Sequence, residues 1–464
     1  METNPRDPVA LQRTAEEASA KTGTSSVPAR AGEPALKRTR VRYGILALLF
    51  FGVVINYLDR ANLALAAPVI KNDLHMNAAT LGAVLAAFGF SYAFMQIPGG
   101  FVIDRLGPRI TYGVALTVWS IITALQGLAR SAVVLIGLRI GLGIAEAPAF
   151  PVNSRVVAAW FPNKERASAV GIYTAGEFVG LAFLTPVLAW LLTSFGWPLM
   201  FALSGLLGLI FAAVWLWRYR DPRHSRRANE AELNYVREGG GLAERAGERQ
   251  KFKWSEASEL FRHRQLWGIY IGQFAIASTL WFFLTWFPTY LVTSRHLTII
   301  KAGLYAVIPY IGAFIGVLIG GAVSDWLLRR GFSLGGARKT PIIAGLLLAS
   351  TIVFANYVES INAVIAIMTL AFFGQGMSAI SWTLVSDTAP KELLGLAGGV
   401  FNFFANLGSI VTPLAIGFIL AATNSFSGGL VFMSAVALVG MLSYIFIVGK
   451  VYRIELKTQP VLGL

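Results

Sequence analysis

Five ionisable residues lie inside stretches of the chain that are otherwise apolar. Asp59 and Arg60 are adjacent, Arg139 and Glu146 are seven residues apart, and Glu177 lies further along. A charged side chain at the centre of a bilayer costs about 2.5–3.5 kcal/mol on insertion scales, and such residues usually face an internal cavity. Carboxylates beside guanidinium groups in one low-dielectric cavity can bind protons and a small anion in competition. The five residues therefore indicate ion-coupled chemistry inside a membrane.

Helical spacing predicts which polar and charged residues of the first half share a helix face. Arg139, Glu146 and Asn153 recur every seven residues, which predicts a polar stripe down one helix face. Asn56 and Arg60 share a face of their helix, whereas Asp59 points about 100° away. An Asp–Arg or Arg–Glu pair can also simply lock two helices together, so a structural role for each charge stays open.

Neutral polar side chains at helical spacing occupy the second half. They form two stripes and one isolated position: Gln375, Ser378 and Trp382; Asn402, Asn406 and Ser409; and Gln273. In the first half, Tyr92 and Gln96 stack in the same way. Such polar residues in membrane helices serve either as ligands or as packing hydrogen bonds. The first half is therefore expected to handle charge, and the second to offer neutral polar groups.

The composition is that of an all-α membrane protein with many spans. Of the 464 residues, 55% are hydrophobic and only 14% are charged, against about 45–50% and about 25% in soluble proteins. About 20 apolar residues cross the hydrocarbon core, and on that basis the sequence predicts twelve transmembrane helices, called spans 1 to 12. Their predicted ranges are 43–69, 79–103, 109–128, 131–158, 165–193, 197–217, 265–292, 302–327, 339–357, 361–386, 396–422 and 428–449.

One long polar stretch between spans divides the chain into two six-helix bundles. It carries twelve Lys/Arg and eight Asp/Glu, and part of it, 228–238, is predicted as an amphipathic surface helix. The predicted organisation is a disordered cytoplasmic tail at 1–40, an N-terminal bundle at 41–217, a cytoplasmic linker at 218–264, a C-terminal bundle at 265–452 and a cytoplasmic tail at 453–464.

The distribution of basic residues predicts the orientation in the cell (inner) membrane. The tails and loops on the side of the termini hold 28 Lys/Arg counted from Lys37, whereas the opposite loops hold only Lys71, Arg130, Arg295 and Lys301. Positive charge marks the cytoplasmic side, so both termini are predicted inside. This topology also accounts for the net charge of +15 without a nucleic-acid partner.

The residue types argue against metal and cofactor chemistry. The chain contains no cysteine, and its four histidines, His75, His224, His263 and His296, fall in predicted loops or at helix ends. No metal site and no cofactor are therefore expected, with protons as the coupling ion. We expect a monomer in the bilayer whose partners are protons and a small anion.

The chain resembles the major facilitator superfamily. Gly100-Phe-Val-Ile-Asp104-Arg105-Leu-Gly107-Pro-Arg109 follows span 2, and a weaker echo, Gly321-Ala-Val-Ser-Asp325, follows span 8. Internal duplication is typical of transporters that rock one half against the other. The resemblance implies the major facilitator fold, a central cavity and alternating access. It also implies that Asp104, Arg105 and Arg109 form a charge relay closing the cytoplasmic side.

Further stretches narrow the resemblance to the anion:cation symporter family, most closely its bacterial members that carry D-galactonate with protons. These stretches include Tyr57-Leu-Asp59-Arg60-Ala-Asn62-Leu, Glu146-Ala-Pro-Ala-Phe-Pro151, Leu284-Thr-Trp-Phe-Pro288 and Gly398-Gly-Val-Phe-Asn402-Phe, and the likeness runs from about residue 41 to 453. It implies import of a sugar acid, with D-galactonate first. The implied proton-coupling residues are Asp59, Glu146, Arg60 and Arg139, and the implied substrate contacts are Arg60, Tyr92, Gln273, Ser381, Trp382 and Asn402.

Two positions depart from the family pattern. Glu177 stands where the galactonate carriers have a substrate-binding glutamine, and Ala379 stands where they have serine. An ionised Glu177 would repel a carboxylate, so we expect it to be protonated when substrate binds or paired with an arginine. It could instead be a third proton site or mark another substrate. Carriers of hexuronates, of aldarates such as glucarate, or of aromatic acids such as phthalate therefore stay open as alternatives.

Other classes of protein fit the sequence less well. No catalytic cluster of a membrane enzyme occurs, and we expect no enzymatic activity. The nearest match to a phosphate-binding loop, Gly335-Gly-Ala-Arg-Lys-Thr340, lacks the required spacing and is predicted to be a charged loop. A passive channel would be distinguished by uptake that never exceeds equilibrium.

Overall fold

The computed structural model describes residues 37–241, 260–390 and 393–455, except for the side chains at 97, 100, 101, 104 and 395. The predicted disordered tail lies mainly outside the described residues, as do the last nine residues. The spans correspond to these helices: Val41–Asp73 (span 1); Ala78–Gln126 (spans 2 and 3); Ala132–Glu146 and Ala149–Trp160 (span 4); Asn163–Arg218 (spans 5 and 6); Arg264–Thr285 and Phe287–Thr293 (span 7); Ile299–Arg329 (span 8); Leu334–Ser350 and the 3-10 helix Thr351–Tyr357 (span 9); Ile361–Ser378 and Ser381–Thr388 (span 10); Leu394–Thr423 (span 11); Ser427–Leu442 and the π-helix Ser443–Ile447 (span 12).

The helix lengths account for twelve membrane crossings. Ten helices in the described part are long and apolar enough to cross a membrane. One of them, Asn163–Arg218, has 56 residues and would be about 84 Å long, far more than the ~30 Å hydrocarbon core. Its bend at Gly196 divides it into spans 5 and 6. In the same way, residues 108–126 follow the bend at Gly107 as span 3.

The two bends depend on glycine. Gly107 has a φ of 73° and Gly196 a φ of 79°, a left-handed conformation that residues with a β-carbon rarely adopt. Each glycine is followed by a proline or precedes one by two residues, Pro108 and Pro198, and proline starts a new helix well because its φ is already helical. The chain can therefore reverse direction within one or two residues between neighbouring spans.

Spans 4 and 10 are broken rather than continuous. Span 4 is interrupted at Ala147 and Pro148, where proline removes a helical hydrogen bond. Span 10 is interrupted between Ser378 and Ser381. The predicted single stripe of Gln375, Ser378 and Trp382 is therefore wrong. Gln375 and Ser378 are buried, whereas Trp382, which lies beyond the break, is 48% exposed.

Span 9 begins earlier than the sequence suggested. Its helix starts at Leu334, and the Ser333 hydroxyl accepts a hydrogen bond from the backbone N–H of Gly336 as an N-cap. The segment 335–340, predicted as a charged loop, therefore forms the first turns of this helix.

The first part of the linker packs on the N-terminal bundle. The predicted amphipathic helix is confirmed as Glu230–Glu238. Its Glu232 is fully buried and accepts hydrogen bonds from the backbone N–H groups of Val41 and Arg42 and from the Arg42 guanidinium. A carboxylate at a helix N-terminus satisfies unpaired donors and complements the helix dipole. Glu232 thus fastens the linker to the start of span 1.

The two bundles are in close contact on the side away from the linker. We call the side holding the linker the linker face and the side holding loops 74–77 and 127–131 the far face. A β-carbon added at Gly82 in span 2 would lie 2.7 Å from the Pro413 carbonyl oxygen in span 11. One added at Gly303 in span 8 would lie 2.6 Å from the Ala189 β-carbon in span 5. These backbone-level contacts seal the space between the bundles toward the far face.

Candidate transport site

The centre of the candidate site is an ion pair between span 1 and span 4. The Arg60 Nη2 atom lies 3.3 Å from Glu146 Oε2, with both side chains almost fully buried. The same carboxylate oxygen accepts a hydrogen bond of 2.8 Å from the Asn56 amide, one helical turn before Arg60. Glu146 Oε1 has no hydrogen-bond partner within the described residues. The ion pair is therefore formed, but one oxygen of the Glu146 carboxylate can still accept a hydrogen bond.

Aromatic rings surround the Arg60 guanidinium. The distances from its Cζ atom to the ring centroids are 4.7 Å for Tyr57, 5.0 Å for Phe88, 5.2 Å for Tyr92 and 5.8 Å for Trp281. Cations are attracted to aromatic faces within about 6 Å, more strongly when water is excluded. Three of the rings belong to the N-terminal bundle, and Trp281 comes from span 7. The cage therefore connects the charge cluster to the opposite bundle.

Asp59 and Arg139 lie beside this pair without joining it directly. Asp59 is 1% exposed and lies within electrostatic range of Glu146, Arg139 and Arg60. Arg139 is 2% exposed and stacks 5.0 Å from the Phe88 centroid. Its Nε and Nη1 atoms have no hydrogen-bond partner in the described part of the chain. A buried guanidinium with free donors can take a carboxylate or ordered water.

Glu177 is a buried neighbour of the pair. Its side chain is 8% exposed, and it lies beside the Tyr57 hydroxyl and within electrostatic range of Arg60. Glu177 forms no ion pair within 4 Å among the described residues, and its protonation when substrate binds, or its pairing with an arginine, stays a prediction. The cluster therefore holds three carboxylates and two guanidinium groups.

The predicted substrate-contact residues of the C-terminal bundle form three side-chain contacts in the structure. The Ser381 hydroxyl donates a 2.8 Å hydrogen bond to the side-chain amide oxygen (Oε1) of Gln273. The Asn402 amide donates to the Gln96 side chain across the bundle interface. The Trp382 ring packs against Phe401 in a T-shaped contact of 4.5 Å. Within the described part of the chain, no hydrogen bond or ion pair joins these residues to Arg60.

Of the three residues of the expected relay, Arg109 makes contacts with span 6, and the relay itself stays a prediction. Arg109 donates two hydrogen bonds from its guanidinium to the Leu216 carbonyl oxygen, and its own carbonyl accepts one from the Trp215 indole. Arg109 thus joins the start of span 3 to the end of span 6. Arg105 is exposed, and the Asp104 side chain lies outside the described residues. In the other bundle, Arg338 pairs with Asp325 and Asp387 at 3.4 Å each.

Sequence reasoning missed part of the cage. Helical spacing places Asn56 on the same face as Arg60, but it does not predict the hydrogen bond from Asn56 to Glu146. Tyr57 and Phe88 lie three or four residues from Arg60 and Tyr92, a helical spacing that could have revealed them. Trp281 comes from the other bundle, and its position depends on packing that periodicity does not contain.

The helical fold and the charged, aromatic-lined centre between two bundles are those of a membrane transporter. The model of the Major Facilitator Superfamily matches residues 49–413, and the chain belongs to this family. The match covers well over half of the 464 residues.

Relatives and solved structures agree with this membership. The chain is 48% identical to a D-galactonate transporter of Escherichia coli O6:H1, covering 92% of this chain and 99% of that protein. It is 43% identical to a probable galactarate/D-glucarate transporter of Bacillus subtilis, covering 92% and 96% respectively. A bacterial homologue of the lysosomal transporter Spinster has the same fold, with a TM-score of 0.66 at 20% identity over 88% of this chain and 95% of that one.

Proposed function

We propose that this protein is a secondary transporter that imports a sugar-acid anion together with protons, with D-galactonate as the first substrate to test. The observation that carries the proposal is the buried Arg60–Glu146 pair in a chain that is 48% identical to a D-galactonate transporter. A secondary transporter needs a site where substrate and coupling ion influence each other's binding, and this pair supplies one.

The coupling follows from competition for one guanidinium. While Glu146 is ionised it occupies Arg60, and a substrate carboxylate must displace it. Protonation of Glu146 removes its charge and releases Arg60 for the substrate. Asp59, within electrostatic range of the pair, is the second proposed proton site. Arg139, also in range, is proposed to hold the cluster near neutrality as protons and substrate exchange.

The remaining predicted residues take the role of sugar recognition. We propose that Tyr92, Gln273, Ser381, Trp382 and Asn402 contact the hydroxyl groups once the bundles close on the substrate. Gln273 and Ser381 bond to each other in this structure. Both could exchange that bond for substrate hydroxyls at little cost, because neutral hydrogen bonds contribute only about 0.5–1.5 kcal/mol net.

The proposed orientation places both termini and the linker face in the cytoplasm of a bacterial inner membrane. The 28 basic residues on that side support it through the positive-inside rule. We propose that 41–217 and 265–452 move as two bodies joined by the linker, working as a monomer, with the Asp104, Arg105 and Arg109 turn closing the cytoplasmic side. Sealing toward the far face is then one end state of the alternating cycle.

An aldarate is the second candidate substrate, favoured by the 43% identity to a probable galactarate/D-glucarate transporter. Glu177 bears on this choice, because a second substrate carboxylate near it would be repelled unless Glu177 were protonated. A monocarboxylate meets that repulsion only once. An ionised Glu177 beside Tyr57 would thus disfavour an aldarate more than D-galactonate, although the D-galactonate carriers have glutamine at this position.

The test is a thermal-shift screen of the purified protein in detergent, followed by uptake into proteoliposomes under an imposed pH gradient. The screen compares D-galactonate, galactarate, D-glucarate, a hexuronate and phthalate at acidic and neutral pH. We expect stabilisation by D-galactonate and accumulation above equilibrium. Accumulation of aldarates but not of D-galactonate would show that the substrate is an aldarate. Uptake that stops at equilibrium would overturn proton coupling.

A further inference from the structure

A second group of buried polar side chains lies inside the N-terminal bundle, apart from the cage around Arg60. It comprises Asn62 of span 1, Thr123 and Gln126 of span 3 and Ser204 of span 6, and we call it the inner polar track. Each of the four is at most 4% exposed. None contributes to the ion pair or to the predicted sugar contacts.

The inner polar track starts at Asp59. The Thr123 hydroxyl lies beside the Asp59 carboxylate. Asn62 follows Asp59 by three residues on the same face of span 1, and its amide oxygen accepts a 3.3 Å hydrogen bond from Ser204. Asp59 therefore adjoins the track and also lies within electrostatic range of Glu146, Arg139 and Arg60.

The inner polar track ends near the far face. Gln126 is the last residue of its helix, immediately before the loop at 127–131. Thr123 lies three residues earlier, a rise of about 4.5 Å along the axis. Thr123 and Gln126 thus lead from beside Asp59 to the far-face end of span 3. The space between the bundles, in contrast, is sealed on that side by the contact of Gly82 with Pro413.

The polar atoms of the track are under-satisfied. Asp59 Oδ1, Asn62 Nδ2, Thr123 Oγ1 and both amide atoms of Gln126 have no hydrogen-bond partner anywhere in the described ranges. Leaving such a group unbonded costs about 1–3 kcal/mol, and ordered water commonly satisfies clusters of this kind. Hydroxyl and amide groups that hold water in a row also orient it for proton transfer.

We propose that the inner polar track is a proton path from the far face to Asp59, separate from the route of the substrate. In this path a proton joins the water held at Gln126, and each water passes one proton on. An O–H bond then forms on the Asp59 carboxylate as the O–H bond of the last water breaks. One positive charge moves inward and nothing is oxidised or reduced.

The proposed proton path ends at Asp59 because two guanidinium groups lie near this carboxylate. Arg60 and Arg139 both lie within electrostatic range of Asp59, and fixed positive charge opposes the passage of free protons through a narrow space. A proton therefore stops on Asp59 until the cluster rearranges with substrate. The inference rests on the proposed proton coupling and specifies how protons reach it while the far face is closed to substrate.

The test uses two variants that interrupt the track without adding charge, Thr123→Val and Gln126→Leu, in the full-length protein reconstituted in proteoliposomes. Thr117→Val is the matched control. Its hydroxyl lies in the same span but bonds to the carbonyl of Gly113 one turn earlier. Thr123→Ser, which keeps the hydroxyl, is the rescue. Two rates are measured with D-galactonate: uptake driven by a pH gradient, and counterflow exchange at equal pH.

We expect Thr123→Val and Gln126→Leu to slow pH-driven uptake at least about tenfold, equivalent to roughly 1.4 kcal/mol on the barrier. Counterflow should stay within about twofold, because exchange of substrate for substrate needs no net proton movement. The control and the rescue should match the unchanged protein in both assays.

The outcomes separate this inference from the function it rests on. If the unchanged protein shows no pH-driven uptake, proton coupling itself is wrong. If it does, and both track variants behave like Thr117→Val, the path is wrong while the function stands. Equal slowing of uptake and counterflow in both variants, with a lowered melting temperature, would show a packing role and also overturn the path.

Discussion

Replacing Glu146 by glutamine should separate substrate binding from proton coupling. Glutamine keeps the size of the side chain and can still accept the hydrogen bond from Asn56. It cannot carry a negative charge, and it does not take up a proton between acidic and alkaline pH. The variant therefore releases Arg60 from its ionised partner at every pH. We expect Glu146→Gln to bind D-galactonate at alkaline pH as the unchanged protein does at acidic pH.

The size of the effect follows from the contact that the substrate must displace. Arg60 and Glu146 are 3.3 Å apart, at 5% and 0% side-chain exposure, so solvent screens the pair little. A hydrogen bond to a charged group contributes about 1.5–3 kcal/mol, which corresponds to roughly 10- to 150-fold in Kd. In the unchanged protein, binding should therefore weaken by up to this factor as pH rises and Glu146 becomes ionised.

Isothermal titration calorimetry of the purified protein at about pH 6 and pH 8 measures this difference as a ratio of Kd values, in which each tenfold step equals about 1.4 kcal/mol. Glu165→Gln is the matched control, because Glu165 pairs with Arg42 near the linker face, away from the site. A Glu146→Gln variant with the pH dependence of the unchanged protein would refute the competition for Arg60.

Two further predictions concern the neighbour of the pair and the seal. Glu177→Gln removes a negative charge beside Tyr57 and within range of Arg60, so it should favour dianionic galactarate over D-galactonate in competition uptake assays; an unchanged substrate range and pH profile would remove any special role for Glu177. Gly82→Leu should force the far face open, since even a β-carbon there lies 2.7 Å from the Pro413 carbonyl oxygen. A membrane-impermeant thiol reagent added on the far side should then label the variant Ser409→Cys faster; the chain contains no other cysteine. Gly44→Leu, where no atom lies within 4 Å of an added β-carbon, is the control, and equal labelling in both variants would argue against the seal.

The spans were predictable because hydrophobic length is a direct requirement of the bilayer. Residue counting placed the start of span 1 within two residues of Val41. The boundaries failed where local chemistry intervened. Pro148 breaks span 4, and the Ser333 cap starts span 9 before its apolar run begins.

The charge cluster was predictable in part. Ionisable residues are rare in membrane spans, so the sequence alone predicts Asp59, Arg60, Arg139 and Glu146 as candidate site residues. Which acid pairs with Arg60 was not contained in the spacing, since it depends on how spans 1 and 4 pack. Trp281 was beyond prediction for the same reason, as its contact with Arg60 crosses between bundles.

The most direct test of the account is the movement of protons that accompanies D-galactonate. A pH-sensitive dye in weakly buffered proteoliposomes reports this when D-galactonate is added outside without an imposed gradient. We predict that the unchanged protein carries protons inward with the substrate, and that Asp59→Asn moves none while still exchanging substrate. Proton movement by Asp59→Asn at the unchanged rate, or D-galactonate uptake by the unchanged protein without proton movement, would contradict the account.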